Sequence, residues 1–470
     1  MNHDLLNHLR DAEKRHECEP DSVPVIREIC RALVALQHED AALRYTELGL
    51  ALEPHDPEFV GLRMDALNLV GRHAQAAALL MQEHALPWLP AMFQMTLGYS
   101  LMMAGELTQA AALLDEARRI ASVSNPALLA KTTHLLGEAL LKAGDARGFV
   151  FWRARNEDEN EGGAGSYLSA GVPFWSGERD LRGKRVLVTH QLGFGDQFLL
   201  AARLADFQSA GATLMLTTDP QIHALMKASL PEVAVVCATR PLAKGEALPD
   251  DTHAEVAAFA PHFQTTLLDA PLLACGEEAS SYRFRAYLRP PVDKQRVAAD
   301  WSRQLRAGHP RKKLVGLFWD CMQRHQPELG SAMRCWAARR SMPLAWIDRL
   351  VADPAVADRV QFVNLHHPLI ESAAGVPAGD VARYSPGIFH FDDTAACIGQ
   401  LDAVVSVDSG VANLAAMMGK PTCVAVNTSG DWRWGHEGTA TLWIEGVTVL
   451  RQQSEGDWAP VVRNIAAWLT

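Results

Sequence analysis

One hexapeptide occurs twice: Gln75-Ala-Ala-Ala-Leu-Leu80 returns as Gln109-Ala-Ala-Ala-Leu-Leu114, 34 residues later. A repeat of that length confines the fold, because each copy is a short helical hairpin that cannot bury its apolar face alone and must stack on the next. Each copy follows the same kind of helix break, Val70-Gly71-Arg72 and Ala104-Gly105-Glu106; a further step of 34 back lands on Gln37-His38-Glu39, ahead of Asp40-Ala-Ala-Leu43. The segment Leu52-Glu53-Pro54-His55-Asp56-Pro57 supplies the loop between units, since proline suits a helix start and blocks helix continuation. A fourth unit, from Ser124-Asn125-Pro126 to Lys142-Ala143-Gly144-Asp145, is irregular, with Gly144 falling 39 residues after Gly105. Stacked helix pairs present an extended concave surface, which fits recognition of a polypeptide or contact between copies of the chain.

These units account for residues 1–155 of 470, and the remainder follows a different pattern. The run RNEDENEGGAG at 155–165 joins charge to glycine and buries little, so 156–179 reads as a linker. Short β-branched runs then alternate with helical segments, the signature of parallel sheets. Strands are predicted at 186–189 and 212–217, with a helix over 197–210 between them, and again at 314–319, 360–365, 403–407 and 422–426. The fold class is α plus α/β: helical repeats, then two Rossmann-like halves at 180–295 and 310–470, with polar 294–313 connecting them. A net charge of −11 argues against a general phosphate-backbone binder, so no nucleic-acid partner is expected. The eight cysteines form no metal-ligand spacing and read as reduced core thiols. The charged N-terminus lacks an apolar signal core and no stretch is long enough for a membrane span, which predicts a cytoplasmic protein.

Two motifs carry chemistry, each placed between a strand and a helix. In Gly193-Phe194-Gly195-Asp196-Gln197 the glycines let a ligand approach backbone and aim helix N–H groups at a cleft. It is not the dinucleotide fingerprint, because Phe198 stands where the third glycine belongs. Asp196 is placed either to cap the helix or to act in catalysis. In Val407-Asp408-Ser409-Gly410-Val411-Ala412-Asn413 the helix start at Ser409 suits a diphosphate, and Asp408 suits a cap or a ribose hydroxyl. Trp432 and Trp434, with Arg433 between them, suit either stacking on a base or sugar or packing between the halves.

The 34-residue unit is the tetratricopeptide period. Residues 173–470 resemble the heptosyltransferase-like glycosyltransferases, of the family 9 type with a GT-B fold. The resemblance is carried by Leu401-Asp402 through Gly419-Lys420-Pro421, by Asp431-Trp432-Arg433-Trp434, Leu450-Arg451-Gln452 and Gly456-Asp457-Trp458. Upstream it includes Phe174-Trp175-Ser176-Gly177-Glu178, the Gly193–Asp196 loop, Gly316 to Trp319, Arg340-Ser341-Met342-Pro343-Leu344 and Asp393-Thr394-Ala395-Ala396.

That resemblance implies an inverting, metal-independent enzyme with the nucleotide sugar on the C-terminal half and the acceptor on the N-terminal half. By carry-over Asp196 is the catalytic base. Donor binding falls to Trp319, Arg340, Asp408, Ser409, Gly410, Val411 and Asn413. Further donor or acceptor contacts fall to Gly193, Gly195, Gln197, Asp393, Thr394, Trp432, Arg433 and Trp434. No cofactor or metal is expected beyond the nucleotide-sugar co-substrate. The favoured acceptor is a protein, such as a flagellin or another surface protein, read by the repeats, and a homo-oligomer is compatible with them. Transfer to a lipopolysaccharide-type glycan is the alternative. A catalytically weak scaffold is another, because Asn413 stands where the family usually has histidine and Asp320-Cys321-Met322 follow Trp319 where small residues are common.

Overall fold

The computed structural model describes residues 2–36, 38–82, 90–156, 167–169, 171–239, 246–274, 282–326 and 331–470. Residues 157–166 of the expected linker lie outside them. The described chain forms two compact units, 1–139 with 322–339, and 140–321 with 340–470.

The first unit is built from α1 (Asn2–Cys18), α2 (Val23–Leu36), α3 (Glu39–Leu52), α4 (Pro57–Leu69), α5 (His73–Gln82), α6 (Pro90–Ala104) and α7 (Leu107–Ser124); α8 (Leu129–Lys142) begins in it. The repeated hexapeptides lie in α5 and α7, where the equivalent pairs Ala76/Ala110 and Leu80/Leu114 are all buried. Gly71 and Gly105 end α4 and α6 with φ of 82° and 95°, a left-handed turn that glycine adopts without a Cβ penalty. Asp56 caps α4, accepting from the N–H groups of Glu58 and Phe59, with Pro57 at the first helical position. The same unit contains most of a helix from far along the chain, Ser331–Arg340. Its Cys335 Sγ lies 3.5 Å from Glu39 Oε1, and Arg339 Nη2 lies 3.3 Å from His73 Nε2. Glu39 and His73 open α3 and α5 and are 34 residues apart, so this helix meets successive repeats at equivalent points.

The second unit holds a short parallel pairing of Tyr167–Leu168 with Glu246–Ala247 and two larger parallel sheets. The smaller has β1 (Arg185–Thr189), β2 (Thr213–Thr218), β3 (Val233–Cys237) and β4 (Phe263–Thr266) in the order β3-β2-β1-β4. The larger has β5 (Lys313–Phe318), β6 (Val360–Asn364), β7 (Val381–Arg383), β8 (Ala403–Val407), β9 (Thr422–Val426) and β10 (Val447–Arg451) in the order β10-β9-β8-β5-β6-β7. Every residue of β6, β8 and β9 is buried, as expected of parallel strands covered on both faces. The expected fold class and the predicted strands are therefore found, with ends within a residue or so. The helix expected over 197–210 is broken into Phe194–Leu200, a 3₁₀ turn at Ala201–Arg203, and Leu204–Ser209. The polar 294–313 connection lies largely in a helix, Val292–Gly308.

Packing divides the chain after Ala139, ahead of the 156–179 stretch. The reason is aromatic: Phe149 and Trp152 are buried against Tyr282, Phe284, Trp432 and Trp443 at centroid separations of 5.2–6.1 Å. Among the described residues no helix is long and apolar enough to cross a membrane.

Candidate functional site

Each sheet has one point where strand order reverses, between β1 and β4 and between β5 and β8. At such a point the loops leaving the strand ends diverge and open a crevice. The loop after β1 is His190-Gln191-Leu192-Gly193, leading into α9 (Phe194–Leu200); the loops after β5 and β8 are Trp319-Asp320-Cys321 and Asp408-Ser409, the latter leading into α10 (Gly410–Met417). Both chemistry-bearing motifs thus sit at switch points. Cys321 Sγ lies 3.5 Å from the Asp408 carbonyl, and Cys321 N donates to Ser341 Oγ at 2.9 Å, closing the second one.

The two helix starts meet. A Cβ on Gly195 would stand 2.9 Å from Asn413 Nδ2 and 3.5 Å from Gly410 Cα, so this glycine serves the approach of two backbones. Ser409 caps α10, its Oγ accepting from Ala412 N at 3.2 Å and sharing a 2.9 Å hydrogen bond with Ser406 Oγ. Asn413 Nδ2 donates to Ser409 O at 2.9 Å, while its Oδ1 is buried without a hydrogen-bond partner. Ahead of α9, Leu192 holds φ at 67°, a strained value for a branched residue that concentrates at functional loops.

Asp196 is doubly engaged. Its Oδ2 accepts from Gly193 N at 3.2 Å, and its Oδ1 accepts from Arg433 Nη2. Arg433 comes from the other half, with its side chain 8% exposed against 20% for Asp196. Asp431 Oδ1 takes both Arg433 Nη1, at 2.5 Å, and Arg433 N, at 3.0 Å, while the guanidinium carbon lies 4.8 Å from the centre of the Trp432 ring. Next along is Arg340, with Nη1 3.6 Å from Asp408 Oδ2. Burial opposes the charge of Arg340, but Cys321, Asp408 and Asp431 outweigh it and raise its pKa. Arg451 follows at the end of β10; burial pulls its pKa down to about 10, with Asp408 opposing. Three aspartates and three arginines therefore alternate from the tip of α9 to the edge of the larger sheet.

Unpartnered polar atoms collect at that edge. Asn427, the residue after β9, is 1% exposed, and neither its Oδ1 nor its Nδ2 has a hydrogen-bond partner. Arg451 Nη1 and Nε and Gln452 Nε2 are likewise buried without one. Buried amides and guanidinium groups are normally satisfied, so an orphaned set at a sheet's carboxyl edge suits a polar ligand.

Other expected residues fall differently. Trp432 and Trp434 are buried at 1% and 0% exposure, leaving no open ring face for a base or sugar; their rings pack in the core, Trp432 within the aromatic cluster. Trp319 is buried with its ring 4.1 Å from His366. Asp393 caps its own helix at Phe389 N and His390 N, both 3.1 Å, and pairs with Lys294 at 2.6 Å, which raises the lysine's pKa. Thr394 is buried, with Oγ1 donating to His390 O at 3.4 Å. Gln197 Nε2 bonds Leu192 O and Asp219 Oδ2 at 3.2 and 3.0 Å, bracing the strained turn. Val411 is buried at the start of α10. Of the histidines, His190 is fully buried against Thr217, His366 stacks on Phe318, and His262 bonds Arg185 N at the far end of β1. Asn427, Asp431, Arg451 and Leu192 went unselected as site residues in the sequence; only the strand-end position of Asn427 and Arg451 would have flagged them.

The second unit is thus a pair of parallel-sheet α/β halves and the first a stack of helical hairpins with a 34-residue step. No protein-family model matches the chain. It is similar to Protein FlbA of Caulobacter vibrioides, 27% identical over 314 residues, and this match takes in 63% of the chain but only 48% of FlbA, about half of that relative's length. Among solved structures it is similar to the glycosyl transferase family 9 protein of Veillonella parvula DSM 2008, at 13% identity and a TM-score of 0.42, over 62% of this chain and 91% of that one. An O-GlcNAc transferase mutant of Thermobaculum terrenum aligns over 95% of this chain and 92% of its own, with 14% identity and a TM-score of 0.31.

Proposed function

We propose that the chain is an inverting glycosyltransferase that moves a sugar from a nucleotide-sugar donor to a hydroxyl group, on a protein acceptor read by the helical repeats. The observation that carries this reading is the meeting of Asp196 with the start of α10 across Gly195, with guanidinium groups within reach of both. A carboxylate on one half and a positive helix end on the other are what acyl-free group transfer to a hydroxyl needs. In this reading the donor diphosphate lies at Ser409 and Gly410, where unpaired N–H groups and the helix dipole favour an anion. Asp408, Asn413 and Asn427 take hydroxyl or base edges of the nucleotide.

Asp196 takes the acceptor proton as the acceptor oxygen attacks the anomeric carbon; the bond from that carbon to the diphosphate breaks, and its electron pair leaves with the nucleotide. Arg340, Arg433 and the helix end meet the growing charge, so the reaction proceeds without a metal ion. The test is intact-protein mass spectrometry of candidate acceptors after incubation with the chain and a panel of nucleotide sugars. A mass increase of one sugar residue that depends on Ser409–Gly410 supports the reading; no transfer and no donor hydrolysis with any of them would remove it.

A further inference from the structure

Both oxygens of the Asp196 carboxylate are in use, one by its own helix start at Gly193 N and the other by Arg433. A carboxylate paired with a guanidinium is a poorer base than a free one, so in this arrangement the base is held back. The blocking group is itself held, since Asp431 grips Arg433 through both Nη1 and the backbone N–H. A turn of the guanidinium about its anchor at Asp431 would release Asp196.

The charge count says what would turn it. Asp196, Asp408 and Asp431 face Arg340, Arg433 and Arg451, and Asp320 adds a further carboxylate beside Cys321, so the set holds no excess of positive charge before any ligand arrives. A nucleoside diphosphate brings two or more negative charges to the start of α10, one residue from the point where Gly195 touches Gly410. It has to recruit guanidinium groups already committed to carboxylates. Phosphate oxygens accept a guanidinium fork at least as well as a carboxylate does and carry more charge, so they can win this exchange.

Building on the glycosyl-transfer reading, we propose that Arg433 is a positioning residue that latches Asp196 until the donor diphosphate draws its guanidinium away, so that the base is armed only once donor is bound. The freed carboxylate then faces the acceptor with an unshared oxygen, beside an anion that increases its hold on a proton. The acceptor proton goes to Asp196 Oδ1, and the departing diphosphate keeps Arg433 until product release restores the latch. Binding is ordered, donor before acceptor.

The experiment is calorimetric titration of the full chain with ADP, GDP and UDP in turn, at mildly acidic pH, in two buffers of different ionisation enthalpy so that protons exchanged on binding are counted. The latch predicts net proton uptake with the nucleotide that binds. Asp196→Asn, which keeps the helix cap, should abolish that uptake and bind the same nucleotide several-fold more tightly, because no carboxylate competes for Arg433. Arg433→Lys, which keeps the charge without the fork, should reduce both uptake and affinity while leaving the melting temperature near that of the parent. A mere tie between the halves predicts unchanged proton counts and unchanged affinity in Asp196→Asn; that result overturns the latch and leaves the transferase reading standing. Failure of the parent chain to bind any of the three nucleotides overturns both.

Discussion

Placing a methyl group at Gly195 tests whether the two helix starts meet as described. The added Cβ would lie 2.9 Å from Asn413 Nδ2 and 3.3 Å from its Cγ, where ordinary contact begins near 3.4 Å, so the amide must retreat by about half an ångström. It has little room, being buried and bonded to Ser409 O at 2.9 Å, and the added Cβ would also stand 3.5 Å from Gly410 Cα. Overpacking of this kind costs ~1–3 kcal/mol. If the strain falls on the closed arrangement, transfer efficiency drops by roughly 10–100-fold, at about 1.4 kcal/mol per factor of ten. Asn413→Ala alone loses one hydrogen bond, worth about 0.5–1.5 kcal/mol. Combined with Gly195→Ala it removes the clashing amide, so the double variant should be better than the sum of the two losses by ~1 kcal/mol or more. The cycle is read from transfer rates and melting curves of all four proteins. Additivity within about 0.5 kcal/mol would refute the contact.

Four further outcomes are expected. Asp196→Asn should slow transfer by ~10²–10⁴-fold with little change in melting temperature, and a variant within about threefold of the parent would take Asp196 out of the mechanism. Trp443→Ala empties part of the cluster around Phe149 and Trp432 and should cost about 3–5 kcal/mol by denaturant unfolding; a loss under about 1 kcal/mol would mean the cluster is loosely packed. A truncated chain beginning at Leu140 should melt well above one beginning at Tyr167, which lacks Phe149 and Trp152; equal melting would show that these rings do not serve the second unit. Thiol labelling of the folded chain should proceed first at exposed Cys18, with Cys237 slower because burial raises its pKa, and should spare Cys30 and Cys423, whose thiols burial pushes up to about 12. The exposure of Cys18 and Cys237 departs from the reading of all cysteines as core thiols, and rapid labelling of Cys423 in the native state would contradict its placement.

How legible this molecule is depends on how far apart the interacting residues stand. The repeats are plain because a hexapeptide recurs at a fixed step, and the strands because runs such as Ala403–Val407 and Thr422–Val426 are β-branched, short and buried on both faces. The loops after β1 and β8 are also readable, since a glycine or serine between a strand and a helix marks a helix start whatever lies opposite. Partner choice is different. Asp196 and Arg433 are 237 residues apart, and nothing in the periodicity of either segment says that one will meet the other. The same gap explains Trp432, whose i, i+2 spacing with Trp434 fits a stacking surface as well as a core; Phe149 and Trp152, arriving from a distant helix, pack against its ring. It also explains Ser331–Arg340, which follows a strand of the larger sheet yet packs with helices that open the chain. Hydrophobic pattern states which face of an element is buried and is silent on what buries it. Charged side chains carry no such pattern at all, since each is placed by its neighbours in space. The alternating aspartates and arginines are therefore the part of the site least visible in the sequence, and they are also the part that decides whether Asp196 is free to act.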